Sequence, residues 1–158
     1  MAARVQAAGA QVFIGHHPDH VRKATVVVRS SAVSDTNPEV LAAQAAGIPV
    51  LKRADFLGRL TAGKWTLAVA GTHGKTTTTA MIAWMLRSLE QDPSYIIGGI
   101  AANLDANAHA GSGPYFVIEA DEYDHIFLGL NPEVAIITNI EHDHPDYYPT
   151  EADFFAAF

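Results

Sequence analysis

One segment constrains the fold of this chain more than any other. An apolar run at residues 66–70 is followed by Gly-Thr-His-Gly-Lys-Thr at residues 71–76 and then by a helical pattern. Glycines let such a loop turn its backbone N–H groups inward, and the helix N-terminus adds a partial positive charge. Lys75 can reach outer phosphates, and the Thr76 hydroxyl can ligate Mg²⁺. The segment therefore predicts an ATP-phosphate-binding loop.

The loop departs from the strict G-x-x-x-x-G-K-[ST] pattern, because Val69 stands where that pattern requires glycine. It is a variant with shorter spacing. The alternative is a glycine-rich turn that carries a lysine by chance. We favour the phosphate loop because a strand precedes it and a helix follows it, as this type of site requires.

Short β-rich runs alternate with helical patterns along the chain. The predicted strands are residues 11–14, 25–28, 48–51, 66–70, 115–119 and 134–138. Continuous apolar strands separated by helices predict an α/β fold with parallel sheets and flanking helices. Asn37, Pro38 and Gly47 are typical of the two ends of a helix between the second and third strands.

The helix after the loop carries apolar residues at helical spacing, which we expect to pack on the sheet. These residues are Met81, Ile82, Met85, Leu86 and Leu89. Residues 100–114 are polar and contain glycine, and we interpret them as a loop that faces either ligand or solvent. A short polar stretch near residues 61–64 predicts a domain boundary, which gives domains at 1–62 and 63–158.

The formal charge of −7 disfavours nucleic acid and anionic membranes as partners. Phosphate would have to be held by local groups. The chain has no cysteine, and its start lacks the apolar segment of a signal peptide. No window approaches the apolar length of a membrane span. We expect a cytoplasmic protein without a membrane partner.

Two further strands lead into polar residues at the sheet edge where α/β proteins bind ligands. Glu119 ends the first of these strands and could hold Mg²⁺ together with Thr76. The acids that follow it are interpreted as solvated loop carboxylates, namely Asp121, Glu122 and Asp124. Asn139 follows the second strand.

Histidines suggest a zinc site, but the chain offers no H-E-x-x-H motif and no cysteine. His142 and His144 alone do not complete a tetrahedral ligand set. Four others lack a partner pattern and are expected in turns or at the surface, namely His16, His17, His20 and His109.

Four motifs occur in order: A-G-T-H-G-K-T-T-T-T, I-I-G-G, V-I-E-A-D-E and T-N-I-E-H-D-H. Together they resemble the Mur ligases, and residues 9–60 resemble the later part of that family's N-terminal uridine-nucleotide-binding domain. The resemblance implies a partial Rossmann-like domain followed by part of a P-loop ATPase-like central domain. The family's first strand and C-terminal domain have no counterpart, so we expect a fragment that does not catalyse ligation alone.

The resemblance also implies residue roles. Lys75 and His144 would be catalytic, and Thr76, Glu119 and His144 would hold magnesium ions. A histidine on magnesium is unusual by ligand hardness. Asn139 and Asp143 would frame the second metal site. The nucleotide-binding residues would be Gly71, Thr72, His73, Gly74, Lys75, Thr76, Thr77 and Asn139.

The implied reaction joins L-alanine to UDP-N-acetylmuramate with ATP and Mg²⁺, through an acyl phosphate, in peptidoglycan precursor synthesis. One alternative is the branch that recycles a ready-made tripeptide, which shares these central motifs and His73. Others are a stand-alone P-loop NTPase and a non-catalytic nucleotide-binding remnant. Residues 127–137 favour the alanine-adding branch. The sequence predicts no oligomeric state.

Overall fold

The computed structural model describes residues 2–158, apart from the side chains of residues 4, 124 and 125. The chain forms two compact units, Met1–Arg53 and Ala54–Phe158. The boundary that the sequence suggests, after residue 62, lies at the opposite end of helix α3 (Arg53–Thr61). That domain division stays a prediction. Within residues 2–158, no helix has the length and apolar character needed to cross a membrane.

The first unit has a sheet of two parallel strands, β1 (Val27–Arg29) and β2 (Val50–Lys52). Helices α1 (Ala2–Ala7) and α2 (Pro38–Ala45) belong to the same unit. The predicted ends of α2 are confirmed. Asn37 is its N-cap, and the side-chain oxygen accepts a hydrogen bond from Glu39 N–H at 2.9 Å. Gly47 follows the helix with φ 68°, a conformation that favours glycine.

The strand predicted at residues 11–14 is wrong, since these residues form no ladder. Phe13 instead stacks on His20 with ring centroids 4.0 Å apart, and Ile14 is 93% exposed. A run of four apolar residues specifies a strand only where a neighbouring strand can pair with it. Here the chain turns at Gly15, which has φ 80°.

The second unit is built on a five-stranded sheet in the order β5-β4-β6-β3-β7. The strands are β3 (Trp65–Ala70), β4 (Ser94–Ala101), β5 (Ala106–His109), β6 (Tyr115–Glu119) and β7 (Val134–Ile137). β5 runs antiparallel to β4, and the other pairs are parallel. The register places Val69 beside both Glu119 and Ile136, so the carboxyl ends of three strands meet. The predicted parallel α/β architecture is confirmed.

Apolar side chains cover both faces of this sheet. One cluster contains Ala68, Ala70, Phe116, Ile118 and Ala120, with Leu57 of α3 and Phe158 packed against it. The other contains Ala83, Tyr95, Ile97, Leu104 and Val117. The second cluster includes helix α4 (Lys75–Ser88), which follows the loop. A short helix, α5 (Glu151–Phe155), ends the chain.

The prediction of which α4 face packs on the sheet is only partly correct. Ile82 and Leu86 pack on the core cluster. Met81, Met85 and Leu89 are 66%, 53% and 61% exposed. The buried positions of α4 are the small residues Thr79 and Ala83, since this helix begins at the sheet edge and lies close to the strands. Apolar periodicity selected the larger side chains instead.

The loop predicted at residues 100–114 is also partly wrong. Residues 106–109 form β5, which pairs with β4 around a bulge between Ile96 and Ala101. The sequence Ala-Asn-Ala-His has little intrinsic strand propensity, and pairing with β4 decides its conformation. Strand β4 and helix α3 were not predicted; β4 contains Gly98 and Gly99, which have low strand propensity.

Candidate phosphate and metal site

The carboxyl ends of four parallel strands converge on one edge of the larger sheet. β3 leads into Gly71, β6 ends at Glu119, β7 is followed by Thr138 and Asn139, and β4 reaches Gly98 near its end. Ligands of parallel α/β sheets bind at this edge. The structure thereby brings together the loop, Glu119 and the T-N-I-E-H-D-H motif.

Two glycines shape the loop. Gly71 has φ 119° and Gly74 has φ 83°, and both conformations disfavour residues with a Cβ atom. A Cβ at Gly71 would also collide with the Thr138 hydroxyl and would lie 2.7 Å from the Asn139 carbonyl oxygen. Position 71 therefore requires glycine both for its conformation and for the close approach of β7.

The segment after β7 braces the loop. Asn139 accepts hydrogen bonds from Thr72 N–H at 3.0 Å through its backbone oxygen and from His73 N–H at 2.9 Å through its side-chain oxygen. The Thr138 hydroxyl donates to His73 O at 2.6 Å. The Thr72 hydroxyl donates to the backbone oxygen of Glu141 at 2.7 Å. Asn139, predicted to bind nucleotide, thus occupies two loop amides and fixes the shape of the loop.

The remaining amides stand at the start of α4. Thr78 N–H donates to Gly74 O at 2.9 Å, which is the first hydrogen bond of the helix. The N–H groups before it cannot find intrahelical acceptors. Gly74 supplies no side-chain cap. A helix start of this kind presents N–H donors and a partial positive charge, which suits a phosphate group.

Lys75 folds back into the loop and meets a buried acid. Its ammonium group donates to Gly71 O at 2.6 Å, Thr72 O at 3.2 Å and Glu122 Oε1 at 2.9 Å. The Glu122 side chain is 0% exposed, and its Oε2 has no hydrogen-bond partner among the described residues. The backbone oxygen of Glu122 accepts from the Tyr148 hydroxyl at 2.6 Å. Glu122 is therefore a buried counterion, whereas the sequence interpretation made it a solvated loop acid.

The side chains of Thr76 and Glu119 lie within hydrogen-bond distance of each other, and their role at a metal site stays a prediction. The Thr76 hydroxyl donates to Glu119 Oε1 at 3.0 Å, and Gly98 N–H donates to Glu119 Oε2 at 2.6 Å. A Cβ at Gly98 would lie 2.7 and 2.8 Å from the two carboxylate oxygens. The carboxylate thus reaches the loop helix because residue 98 has no side chain. Hydroxyl and carboxylate oxygens are the hard ligands that Mg²⁺ prefers.

His144 lies next to Glu122. Its Nε2 is 3.7 Å from Glu122 Oε1, and its ring contacts Tyr123 edge-on at 5.1 Å. The residue has φ 54°, and its N–H donates to Asp143 Oδ1 at 2.7 Å. Within the described part of the chain, no cluster of three or more histidine or acidic side chains is arranged as a metal cage. The zinc reading of His142 gains no support, since its Nε2 pairs with Tyr148 O at 2.9 Å.

Three of the four histidines without a partner pattern in the sequence have a ring nitrogen within hydrogen-bond distance of a carboxylate, namely His16, His20 and His109. His16 Nδ1 and His20 Nδ1 lie 2.9 and 2.6 Å from oxygens of Glu39. Hydrogen bonds from His16 and then His20 hold the pKa of Glu39 below its ordinary value. His109 pairs with Asp92 at 2.9 Å. These partners are 17 to 23 residues apart in sequence, so no local pattern could indicate them.

A cleft of ≈ 360 Å³ opens beside the loop helix. Thr76 and Thr77 lie at its polar end, and Met81, Trp84 and Ile100 supply much of its apolar lining. Thr77, predicted to bind nucleotide, lines this cleft. A mostly apolar cleft with a few polar groups at one end is the usual form of a small-molecule site.

Sequence reasoning missed Glu122, Gly98 and Tyr148. Glu122 lies three residues after Glu119, just beyond the end of a buried strand, and this position was the one sign of a role at the site. Its burial could not be inferred, because three other acids lie within the same six residues. Gly98 lies in the I-I-G-G motif, which was used for the resemblance and given no physical role. Tyr148 carries no signal, since its contact with Glu122 spans 26 residues.

Comparison with known proteins agrees with this geometry. Residues 69–158 match the Mur ligase middle domain, and residues 1–65 match the family's catalytic domain description. The chain therefore belongs to the Mur ligase family.

Three relatives illustrate the similarity. A UDP-N-acetylmuramate--L-alanine ligase of Laribacter hongkongensis is 52% identical over 145 residues, which make up 92% of this chain and 31% of the relative. A UDP-N-acetylmuramate-alanine ligase of Thermotoga maritima matches with TM-score 0.83 and 35% identity, over 98% of this chain and 37% of that chain.

The third is the UDP-N-acetylmuramate:L-alanyl-gamma-D-glutamyl-meso-diaminopimelate ligase of Neisseria meningitides. It matches with TM-score 0.87 and 31% identity, over 99% of this chain and 54% of that chain. The chain thus spans about a third of the length of the curated relative it matches. These structures share the α/β fold with parallel sheets described above.

Proposed function

We propose that this chain carries the phosphate-binding half-site of an ATP-dependent ligase that joins L-alanine to UDP-N-acetylmuramate. The observation that carries the proposal is the convergence of Lys75, the start of α4 and the Thr76–Glu119 pair at one sheet edge. The name and 52% identity of the Laribacter hongkongensis relative support the choice of substrates. We expect such an enzyme to act in the cytoplasm, in peptidoglycan precursor synthesis.

The first step forms a bond between a carboxylate oxygen of UDP-N-acetylmuramate and the γ-phosphorus of ATP, while the bond to ADP breaks. The amino group of L-alanine then forms the C–N bond and displaces phosphate. Positioning and charge stabilisation dominate catalysis of phosphoryl transfer. Lys75 and the N–H groups at the start of α4 would stabilise negative charge on the transferred group.

The residues present fit a magnesium ion at Thr76 and Glu119. Their oxygens lie 3.0 Å apart, and both are hard ligands. Mg²⁺ is commonly held by one or two protein oxygens together with substrate phosphates. The ion would neutralise phosphate charge during transfer. A role of His144 at a second ion is supported by the family motif only, because imidazole is a poor match for this metal.

Nucleotide binding by the 158-residue chain is the first test. Titration calorimetry with ATP and Mg²⁺ should detect binding, and Lys75→Ala should weaken it strongly while the far-ultraviolet circular dichroism spectrum stays unchanged. Thr36→Ala in the first unit is the control, because its hydroxyl bonds to the Ser34 hydroxyl and to no group of the loop among the described residues. Equal binding by the wild-type protein and Lys75→Ala would contradict the phosphate-site assignment.

Ligation is tested separately on the protein expressed from the open reading frame that carries this sequence. It is supplied with ATP, Mg²⁺, UDP-N-acetylmuramate and either L-alanine or the L-alanyl-γ-D-glutamyl-meso-diaminopimelate tripeptide. We expect amide product and phosphate with L-alanine. Product with the tripeptide alone would assign the chain to the tripeptide-joining branch, which is the activity in the name of the Neisseria relative. ATP hydrolysis without either acceptor would favour a stand-alone NTPase.

A further inference from the structure

Glu122 is the most deeply buried acidic side chain at the site, and the mechanism above gives it no task. Its side chain is 0% exposed, and Oε1 accepts a hydrogen bond from the Lys75 ammonium group at 2.9 Å. A charged carboxylate is rarely placed in a protein interior without a partner, because the loss of hydration is large. Lys75 is that partner.

Groups of the protein itself accept hydrogen bonds from all the N–H donors of the Lys75 ammonium group. Its three N–H donors match three acceptors, namely Gly71 O, Thr72 O and Glu122 Oε1. A phosphate oxygen can bond to this ammonium group only if one of these acceptors withdraws. The two carbonyls belong to the loop backbone, which Asn139 fixes through Thr72 and His73. The side chain of Glu122 is the acceptor that can yield with least change in the loop.

The surroundings of Glu122 fit such an exchange. Its backbone is held by the Tyr148 hydroxyl at 2.6 Å, so the residue stays in place when its side chain changes partner. Oε2 is buried and has no hydrogen-bond partner among the described residues. His144 Nε2 lies 3.7 Å from Oε1, which puts an imidazole nitrogen within a small movement of the carboxylate.

We propose that Glu122 is a positioning residue that serves as the counterion of Lys75 when no nucleotide is bound. When nucleotide enters, the hydrogen bond from Lys75 to Glu122 breaks and Lys75 donates to a phosphate oxygen instead. The carboxylate keeps the ammonium group inside the loop, in the place where phosphate will need it. It also competes with phosphate, and so lowers the affinity for nucleotide that arrives without a metal ion. This proposal rests on the proposed nucleotide function of the loop.

The experiment measures ADP binding to the 158-residue chain by titration calorimetry, once in EDTA and once in Mg²⁺. Glu122→Gln keeps the size of the side chain and removes the competing charge. We expect the dissociation constant for ADP in EDTA to fall about ten-fold, which is the scale of one charge-assisted hydrogen bond. The melting temperature of the nucleotide-free protein should fall, since Lys75 loses its counterion.

A residue with a merely structural role would change binding in the opposite direction, because damage to the loop weakens binding. Asp146→Asn is the matched control. Asp146 is exposed, accepts a hydrogen bond from the Tyr123 hydroxyl at 3.2 Å and also carries one negative charge. The control separates a local exchange at Lys75 from a general loss of negative charge, and it should leave the EDTA affinity within about two-fold.

Glu122→Asp covers the case in which the glutamine variant does not fold. It keeps a charge but withdraws the carboxylate from Lys75, and a smaller gain in EDTA affinity is expected. Unchanged or weaker ADP binding in EDTA by a folded Glu122 variant would overturn the proposal. If the wild-type protein binds no nucleotide under either condition, the proposed function fails instead, and the two failures are thereby distinguished.

Discussion

Gly98→Ala tests whether the approach of Glu119 to the loop helix depends on the missing side chain at residue 98. The new methyl group would lie 2.7 and 2.8 Å from the two carboxylate oxygens. To restore ordinary van der Waals contact, the carboxylate must retreat by roughly 0.7 Å. That movement stretches the 2.6 Å bond from Gly98 N–H and the 3.0 Å bond from Thr76.

The size of the effect follows from these two bonds. A hydrogen bond to a charged group contributes about 1.5–3 kcal/mol, and about 1.4 kcal/mol corresponds to a ten-fold change in an equilibrium constant. If one bond is lost while Glu119 keeps its charge, the Mg²⁺ concentration for half-maximal ATP binding should rise about ten-fold. The assay is a Mg²⁺ titration of ATP binding followed by calorimetry.

Gly99→Ala supplies the matched control. A Cβ at Gly99 would lie 3.5 Å from Thr76 Cγ2, which is ordinary contact. Both substitutions reduce the conformational entropy of the unfolded chain, an effect of about 0.4–1 kcal/mol on stability that is shared by the two variants. A difference in Mg²⁺ requirement between them therefore reports the contact with Glu119. If both variants need the same Mg²⁺ concentration as the wild-type protein, the close approach at residue 98 has no role in metal binding.

Three other predictions follow from the same contacts. Lys75→Ala should abolish ligation by the complete enzyme, because charge stabilisation of the phosphoryl group is lost; activity within a few-fold of wild type would refute this. Glu119→Gln should raise the Mg²⁺ requirement, and an unchanged titration would remove Glu119 from the metal site. Hydrogen bonds from Ser112 N–H, His109 and the Ser112 hydroxyl hold the pKa of Asp92 well below its ordinary 3.8. The ionised Asp92 therefore stabilises the folded protein above pH 3.8, and this stabilisation is lost as the pH falls below 3.8. The melting temperature of Asp92→Asn should therefore depend less on pH in this acid range than the melting temperature of the wild-type protein.

The sequence predicted the parts of the fold that local rules determine. The strand before the loop, the loop itself and α2 carry their own end signals, such as Asn37 and Gly47. The strand predicted at residues 11–14 does not form, because a strand needs a partner strand and these residues have none. Residues 106–109 were predicted to be a loop but form a strand, because β4 pairs with them. Tertiary pairing overrides weak propensity in both cases.

The site was predictable to the extent that strand ends reveal it. Parallel strands bring their carboxyl ends to one edge, so Glu119 could be placed near Thr76 from sequence alone. The direction of a side chain after the strand end could not be derived. For this reason the hydrogen bond from His73 N–H to the Asn139 side chain was not foreseen, and the nucleotide-binding role of Asn139 stays a prediction. Glu122 was assigned to solvent although it is buried against Lys75.

The charges at the loop bear on the proposed binding of a nucleotide by an acidic chain. Lys75 contributes one positive charge, whereas Glu119 and Glu122 contribute two negative charges within hydrogen-bond distance of the loop helix or its lysine. The net negative charge of these three side chains would weaken the binding of a nucleotide without a metal ion, since like charges in a partly buried site are screened weakly. A divalent cation at Thr76 and Glu119 would reverse that balance and would be coordinated by the phosphate oxygens as well. If the proposed site binds nucleotide, we expect it to favour the metal complex of the nucleotide over the nucleotide alone, through acids that lie outside the loop motif.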